Sequence, residues 1–330
     1  MKKQLLIAAV AATMTASAFA DISIKGDARY RFANIDSDST TNFVDDAGNK
    51  STYRTRFHIT GKAGDTTVNA TLRMQPNGSA TAITNDSIMN ITTKIGPVNA
   101  LIGDYTSKTG LGKRKFADVT GKAKLWVNAA DWKIGTTIAA ANESGSGSIW
   151  VAGKVAGVGV KIKSNDESEW INYAAFGKAG DFDYAAEYHN DETVTDNDTT
   201  YLELSTKIGG TKVMIASLEN DAQNTSADAE GNFMGTSILN SNTATVIKLG
   251  SIHKAVAVSA SMPIAGNNVQ VTAGRIQDQN ASTVFDKNTF YDIKATRDLV
   301  SGVQMVVSYG DVEVQGEEAS VFGTEVHVKF

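Results

Sequence analysis

Apolar and polar residues alternate with a period of two along most of this chain. Ile22 to Ala33 shows it best. Ile22, Ile24, Gly26, Ala28, Tyr30 and Phe32 share one face, and Ser23, Lys25, Asp27, Arg29 and Arg31 share the other. This is the spacing of a strand with two unlike faces. Ser51 to Lys62 repeats it, with Tyr53, Phe57 and Ile59 against Arg54, Arg56, His58 and Lys62. Thr66 to Gln75 does so again, with Val68, Ala70, Leu72 and Met74 against Asn69, Thr71 and Arg73. Further strands are predicted over Ser87–Ile95, Val98–Asp104, Lys122–Ala130 and Trp132–Ala141, and the rhythm runs on to Ala319–Phe330.

Tight turns such as Gly64-Asp65, Gly96-Pro97, Gly180-Asp181, Gly209-Gly210 and Ala265-Gly266 alternate with longer polar loops. The long loops include Ile35–Lys50, Tyr105–Gly121, Asp191–Asp198 and Asn220–Asn242. The expected fold class is all-β, with eighteen strands in nine hairpins and sixteen as the alternative. Thr243–Ile252 reads equally as loop or strand. An even number of strands places both termini at the short-turn end.

The first twenty residues break the pattern. Met1-Lys2-Lys3 is a basic head, Leu5 to Ala12 is apolar, and Ala18-Phe19-Ala20 is a small-x-small cleavage site. Residues 1–20 therefore read as a secretory signal peptide. Its apolar run is too short to span a membrane as a helix. Residues 21–330 are expected to form a single domain, since no Pro/Ser-rich linker divides them.

Composition narrows the classes. Cysteine is absent, so no disulfide or thiolate site supports the fold. The net charge of −5 is no nucleic-acid profile. Its distribution is uneven. Asp21 to Leu125 has a balance of +5 and six of the eight arginines, whereas Trp126 to Phe330 has a balance of −12. The basic strand face therefore lies in the first part of the chain. A charged strand face is solvated equally by bulk water outside a soluble sheet or by water inside a pore, and the period alone does not separate these.

The last strand helps to separate them. Phe322, Thr324, Val326, Val328 and Phe330 alternate with Glu325, His327 and Lys329, and the sequence stops on an aromatic residue. This ending resembles the assembly signal of Gram-negative outer-membrane barrels, with Val326, Val328 and Phe330 matching its pattern. With the signal peptide, strand one as DISIKGDARYRF, the hairpin rhythm and a long third loop, the whole chain past the signal resembles Gram-negative outer-membrane general porins. That resemblance implies a transmembrane antiparallel β-barrel, usually a homotrimer of 16- or 18-stranded barrels with the third loop folded into the pore. It implies the outer-membrane bilayer, the barrel-assembly machinery and small hydrophilic solutes as partners, and no cofactor.

The third loop, Tyr105 to Gly121, departs from the family pattern. General porins often set acidic residues there, whereas here it holds Lys108, Lys113, Arg114 and Lys115, with Asp118 its single acid. The candidate pore-lining set is therefore Arg29, Arg31, Arg54, Arg56, Arg73, Lys108, Lys113, Arg114, Lys115, Lys122 and Lys124. Asp183, Glu187 and Glu203 are expected across the lumen, giving a transverse field. Two alternatives are a substrate-specific channel and a structural or adhesive surface barrel.

No G-x-S-x-G elbow or H-E-x-x-H motif occurs, and the four histidines, His58, His189, His253 and His327, are scattered. No catalytic role is expected. Asp36-Ser-Asp38, Asp45-Asp46 and Asp196-Asn-Asp198 lack the glycine and distal glutamate of a calcium loop, so no metal site is expected.

Overall fold

A computed structural model of the chain describes residues 21–37, 48–77, 80–83, 88–108, 116–138, 147–165, 169–191, 198–220, 252–278, 289–314 and 317–330. Every element among them is a strand. The first part comprises β1 (Asp21–Ser37), β2 (Gly48–Ala63), β3 (Thr66–Asn77), β4 (Ala80–Ile83), β5 (Ile88–Ile95), β6 (Val98–Lys108), β7 (Phe116–Ala129), β8 (Trp132–Ile138) and β9 (Ser148–Val155). Then follow β10 (Val158–Asn165), β11 (Trp170–Ala179), β12 (Phe182–Asp191), β13 (Thr199–Ile208) and β14 (Thr211–Asn220). The last are β15 (Ile252–Ile264), β16 (Asn267–Asp278), β17 (Thr289–Val300), β18 (Val303–Val314) and β19 (Glu317–Lys329).

All nineteen form one antiparallel sheet. It closes on itself, because β1 pairs with β2 on one edge and with β19 on the other. The short β4 and β5 lie along the same edge of β3, so they count as one interrupted stave. The ring then has the expected eighteen staves. The expected loop between the third and fourth strands, Pro76 to Asp86, thus contains the extra short strand.

Adjacent strands at the terminal end are joined by two-residue turns, as in Ala63↔Thr66, Val155↔Val158 and Ile264↔Asn267. Both central residues of Gly209-Gly210 have positive φ, 55° and 86°, as do Ala265-Gly266 at 50° and 77°. Turns of this hand match the twist of the flanking strands. At the opposite end several strands overrun their expected bounds. β1 continues to Ser37 and β2 begins at Gly48, so the loop expected over Ile35–Lys50 is shorter.

The third loop changes most. Tyr105–Lys108 pairs with Phe116–Val119 in register, after a bulge at Gly103/Tyr105. Most of the stretch expected as loop is therefore a continued hairpin. Backbone pairing won because Tyr105 to Lys108 and Phe116 to Val119 can satisfy one another's N–H and C=O groups. The intervening 109–115 lie outside the described residues, as do the loop cores 192–197 and 221–251.

The curvature distinguishes the faces. Concave-face side chains crowd one another: Asn172, Thr272 and Asp292 are fully buried. Convex-face side chains are open: Ile24, Ile149 and Ile208 are 65–67% exposed. The convex face is apolar around the ring. It carries two directly opposed tyrosine pairs, Tyr30↔Tyr53 and Tyr173↔Tyr188, and a diagonal one between Tyr291 of β17 and Tyr309 of β18. The ring centroids of Tyr173 and Tyr188 are 6.4 Å apart, and those of Tyr291 and Tyr309 6.1 Å. Its ion pair Glu219–Lys254, 2.5 Å, sits at the loop end of β14 and β15.

The seam is sealed at the terminal end. Phe330 donates its N–H to Gly26 O (2.9 Å) and accepts from Gly26 N (2.6 Å), extending the β1–β19 ladder by one pair. The Phe330 ring lies over Gly26, in the space that a Cβ there would fill, and meets Phe57 edge-on at 6.1 Å. An aromatic ring covering a cross-strand glycine shields backbone that would otherwise lie bare.

Candidate channel lining

The inner face of β1–β3 and β19 carries the densest charge. Alternation turns Asp27, Arg29 and Arg31 inward on β1, and register places them against Arg56, Arg54 and Thr52 on β2. On the other side the same three meet Lys329, His327 and Glu325 of β19. Arg73 enters from β3 opposite Arg56. The five expected arginines, from three strands, therefore share one patch.

Asp27 is its hub. The carboxylate is 5% exposed and accepts two near-parallel bonds from Arg56, Nε to Oδ2 and Nη2 to Oδ1, each 3.0 Å. Forked pairing of this kind is stronger than a single contact. His58 Nε2 donates to Asp27 Oδ2 at 2.9 Å, and its Nδ1 faces Thr71 Oγ1 at 3.1 Å. A carboxylate only accepts, so the Asp27 contact places a proton on Nε2. His327 Nε2 approaches Asp27 Oδ1 at 3.5 Å without a hydrogen bond, and Arg54 Nη2 lies 3.7 Å away. Glu325 takes Arg31 through its Nε.

A second basic arc faces inward from β7 to β11. It contains the expected Lys122 and Lys124 and adds Lys161 and Lys163. Register aligns Lys124 with Thr137, and Lys163 with Trp150. Lys124 Nζ stands 4.4 Å over the Trp150 ring, and Lys163 Nζ 5.2 Å over that of Trp170. Ammonium groups over indole faces are attracted by the ring quadrupole. Lys161 and Lys163 were legible in the sequence. They alternate with Val160 and Ile162, as Arg29 and Arg31 do with Tyr30 and Phe32.

The expected acids lie on β12 and β13, on the opposite side of the ring from β2. Glu187 is buried and accepts from Asn172 Nδ2 at 2.9 Å. Glu203 accepts from Tyr201 O–H at 2.5 Å. Asp183 pairs with Lys178 at 3.3 Å near the terminal end.

Other parts of the inner wall are dry. Ala33 and Ile35 continue the inner face of β1 toward the loop end and join a buried apolar cluster. It follows partnered positions around the ring: Ile35↔Val321, Val312↔Phe290, Ala257↔Ala216 and Leu218↔Tyr201. Its members are 1–6% exposed. This collar spans β13 to β19 and β1 at the loop end. Ser205, Ser259, Thr272 and Asp292 supply polar groups on the same inner wall nearer the turns.

Of the remaining expected residues, Lys108 closes β6, while Lys113, Arg114 and Lys115 lie outside the described residues. Val326, Val328 and Phe330 take the outward face of β19. Asp38, Asp45, Asp46 and Asp196 also lie outside the described residues. Asp198 accepts from Tyr188 O–H and Asn190 Nδ2, both at 2.7 Å. Among the described residues no cluster of His, Cys, Asp or Glu could hold a metal ion.

A closed eighteen-stave barrel with an apolar exterior and a charged inner wall has the architecture of a porin. Solved structures show the same fold. Two engineered variants of Rh. blastica porin superpose with TM-scores of 0.54 and 0.55, each at 16% identity over 94% of this chain and 100% of theirs. A triple variant of Rhodopseudomonas blastica porin gives 0.54 with the same identity and coverage. No protein-family model matches the chain, and neither does any curated protein.

Proposed function

We propose that this chain is an outer-membrane porin, a water-filled channel for passive diffusion of small hydrophilic solutes and ions. The observation that carries this reading is the division of faces: lipid-like outside around the whole ring, with two basic arcs inside. Backbone in hydrocarbon must pair fully, and only a closed sheet does so. Outward tyrosine pairs suit the membrane interface, and the apolar band between suits the acyl chains. Residues 1–20 direct export, and the terminal strand with Phe330 is recognised by the barrel-assembly machinery. The channel works as a homotrimer in a Gram-negative outer membrane.

Selectivity follows from the charge on the lining. The arginine patch and the lysine arc favour anions. Glu187 and Glu203 across the lumen provide the negative pole of a transverse field. On the resemblance to porins, the segment between β6 and β7, with Lys113, Arg114 and Lys115, narrows the passage and adds positive charge.

Single-channel conductance in a planar bilayer under a salt gradient tests this. Stable ohmic steps with a reversal potential on the anion side are expected. A folded barrel without steps would favour a structural role, and strong cation preference would overturn the basic-lining reading.

A further inference from the structure

The chain has four tryptophans, and all lie on the staves from β7 to β11. In a membrane barrel the expected place for tryptophan is outside, at the lipid interface. Trp132 follows that rule. It shares the outer face with the exposed Ile134, and its ring covers Gly153 beside the turns. The other three face inward. Pairing sets Trp126 across from Gly135, Gly135 across from Trp150, Trp150 across from Lys163 and Lys163 across from Asn172, one transverse row on the inner wall. The Trp150 ring fills the space over Gly135. Trp170 stands two residues from Asn172 on the same face, its ring centroid 5.6 Å from that of His189. Two polar atoms of this row are left over. Trp150 Nε1 and Asn172 Oδ1 are buried, each without a hydrogen-bond partner among the described residues. Trp150 is 6% exposed and Asn172 fully buried. A buried donor and a buried acceptor each cost free energy until something meets them.

We propose that the wall carrying Trp126, Trp150 and Trp170 is a binding site for a neutral sugar of two pyranose rings. This rests on the reading of the barrel as a water-filled channel. An indole face is electron-rich. It holds the C–H side of a pyranose as it holds the ammonium groups of Lys124 and Lys163. A hydroxyl both donates and accepts. Sugar hydroxyls therefore satisfy the Trp150 N–H and the Asn172 carbonyl alike, whereas an anion can only accept. The wall also mixes signs of charge, with Lys163 beside Asn172 on one stave and Glu187 bonded to it from the other. A charged ligand is repelled by one of these, and a neutral one by neither. Its hydroxyls gain charge-assisted hydrogen bonds from both. Staves β9 and β11 are two strand spacings apart, about 10 Å, which suits two sugar rings better than one. The arginine patch lies on other staves, so ion preference and sugar retention are separable.

The test uses the whole barrel, residues 21–330, in a planar bilayer. Cellobiose is added at constant salt, and the half-blocking concentration is read against each channel's own open current. Polyethylene glycol of matching size controls for crowding of the pore. The wild type is expected to show saturable block by cellobiose and no saturable block by the polymer. Trp150→Phe, which keeps a ring and loses the N–H, is expected to raise the half-blocking concentration about fivefold. Trp170→Ala is expected to raise it in the same direction, and the outward Trp132→Phe to leave it unchanged. Tryptophan fluorescence of the folded wild-type barrel is expected to shift with cellobiose at the same midpoint, a readout that needs no variant to fold. A channel that both solutes reduce alike, without saturation, overturns the site and leaves the channel reading intact. Saturable block unchanged in Trp150→Phe and Trp170→Ala also overturns it, because the sugar is then held elsewhere. A folded barrel without conductance removes the channel reading. The fluorescence titration then decides the site by itself: a saturable shift supports it, and no shift overturns it.

Discussion

Strand β1 carries two different interiors on one face. Toward the terminal end Asp27, Arg29 and Arg31 form part of a charged, partly hydrated patch. Two residues further, Ala33 and Ile35 join a collar that is almost wholly buried. Backbone, strand direction and face are the same, and β19 makes the same change from Glu325 and His327 to Val321 and Ala319. A position on the inner wall of a barrel is therefore not a wet position by default. What decides is whether the neighbouring staves bring partners for a charge or surfaces for a methyl group. In the patch, Asp27 gathers Arg56, Arg54 and His58 from one neighbour and His327 from the other. In the collar, Val312, Phe290, Ala257 and Leu218 offer no polar partner.

The sharpest way to break this contrast is to place a charge in the collar. Ala257→Asp would leave a carboxylate buried without a partner, and a loss of about 3–5 kcal/mol is expected. The folded form should convert to the unfolded at a clearly lower temperature in heat-modifiability gels. An unchanged conversion temperature would mean that this wall is wet.

The complementary change removes the hub of the patch. Asp27→Asn leaves Arg54 and Arg56 without their anion. Because the Arg56 side chain remains 32% exposed, the expected cost is smaller, about 2–4 kcal/mol. The same variant should move the reversal potential further toward anion preference, which the collar variant has no charge-based reason to do. A shift toward cations would contradict the placement of these arginines on the ion path.

Gly26→Ala probes the seam that both regions share. Its Cβ meets the Phe330 ring, and overpacking there is expected to cost about 1–3 kcal/mol. The readout is again the conversion temperature. Gly26→Ala paired with Phe330→Ala should recover part of that loss, because the clash disappears. Lack of recovery would place the cost in the backbone rather than the ring.

The smallest effect is expected outside. Glu219→Gln breaks the outward Lys254 pair, whose side chains are nearly half exposed, and should change stability by no more than about 0.5 kcal/mol. A larger loss would show that this pair is covered, as at a contact between subunits.

Much of the ring was legible in the sequence because its rule is local. Ile22 to Phe32 against Ser23 to Arg31 shows two faces at sight. The Gly-rich dipeptides mark the short turns, since positive φ is cheap there. Lys161 and Lys163 carried the same signal in a shorter strand. The collar carried none. Ala255 and Ala257 alternate with Val256 and Val258, so both faces of β15 are apolar and the period has nothing to contrast. The third hairpin was obscured for the opposite reason. Its lysines and glycines read as loop, while pairing between Tyr105–Lys108 and Phe116–Val119 depends on two segments meeting.

The sequence by itself determined the strands, the tight turns and the even number of staves. Each follows from residues within a few positions of one another, where steric preference and period act directly. Only the tertiary structure decided which face is inside, because a period of two distinguishes two faces without orienting them. Closure of β19 onto β1 made that choice, and with it brought Glu325 to Arg31 and His327 to Asp27 from opposite ends of the chain. It also decided where the inner wall is charged and where it is dry, since burial is a property of neighbours that no single strand carries.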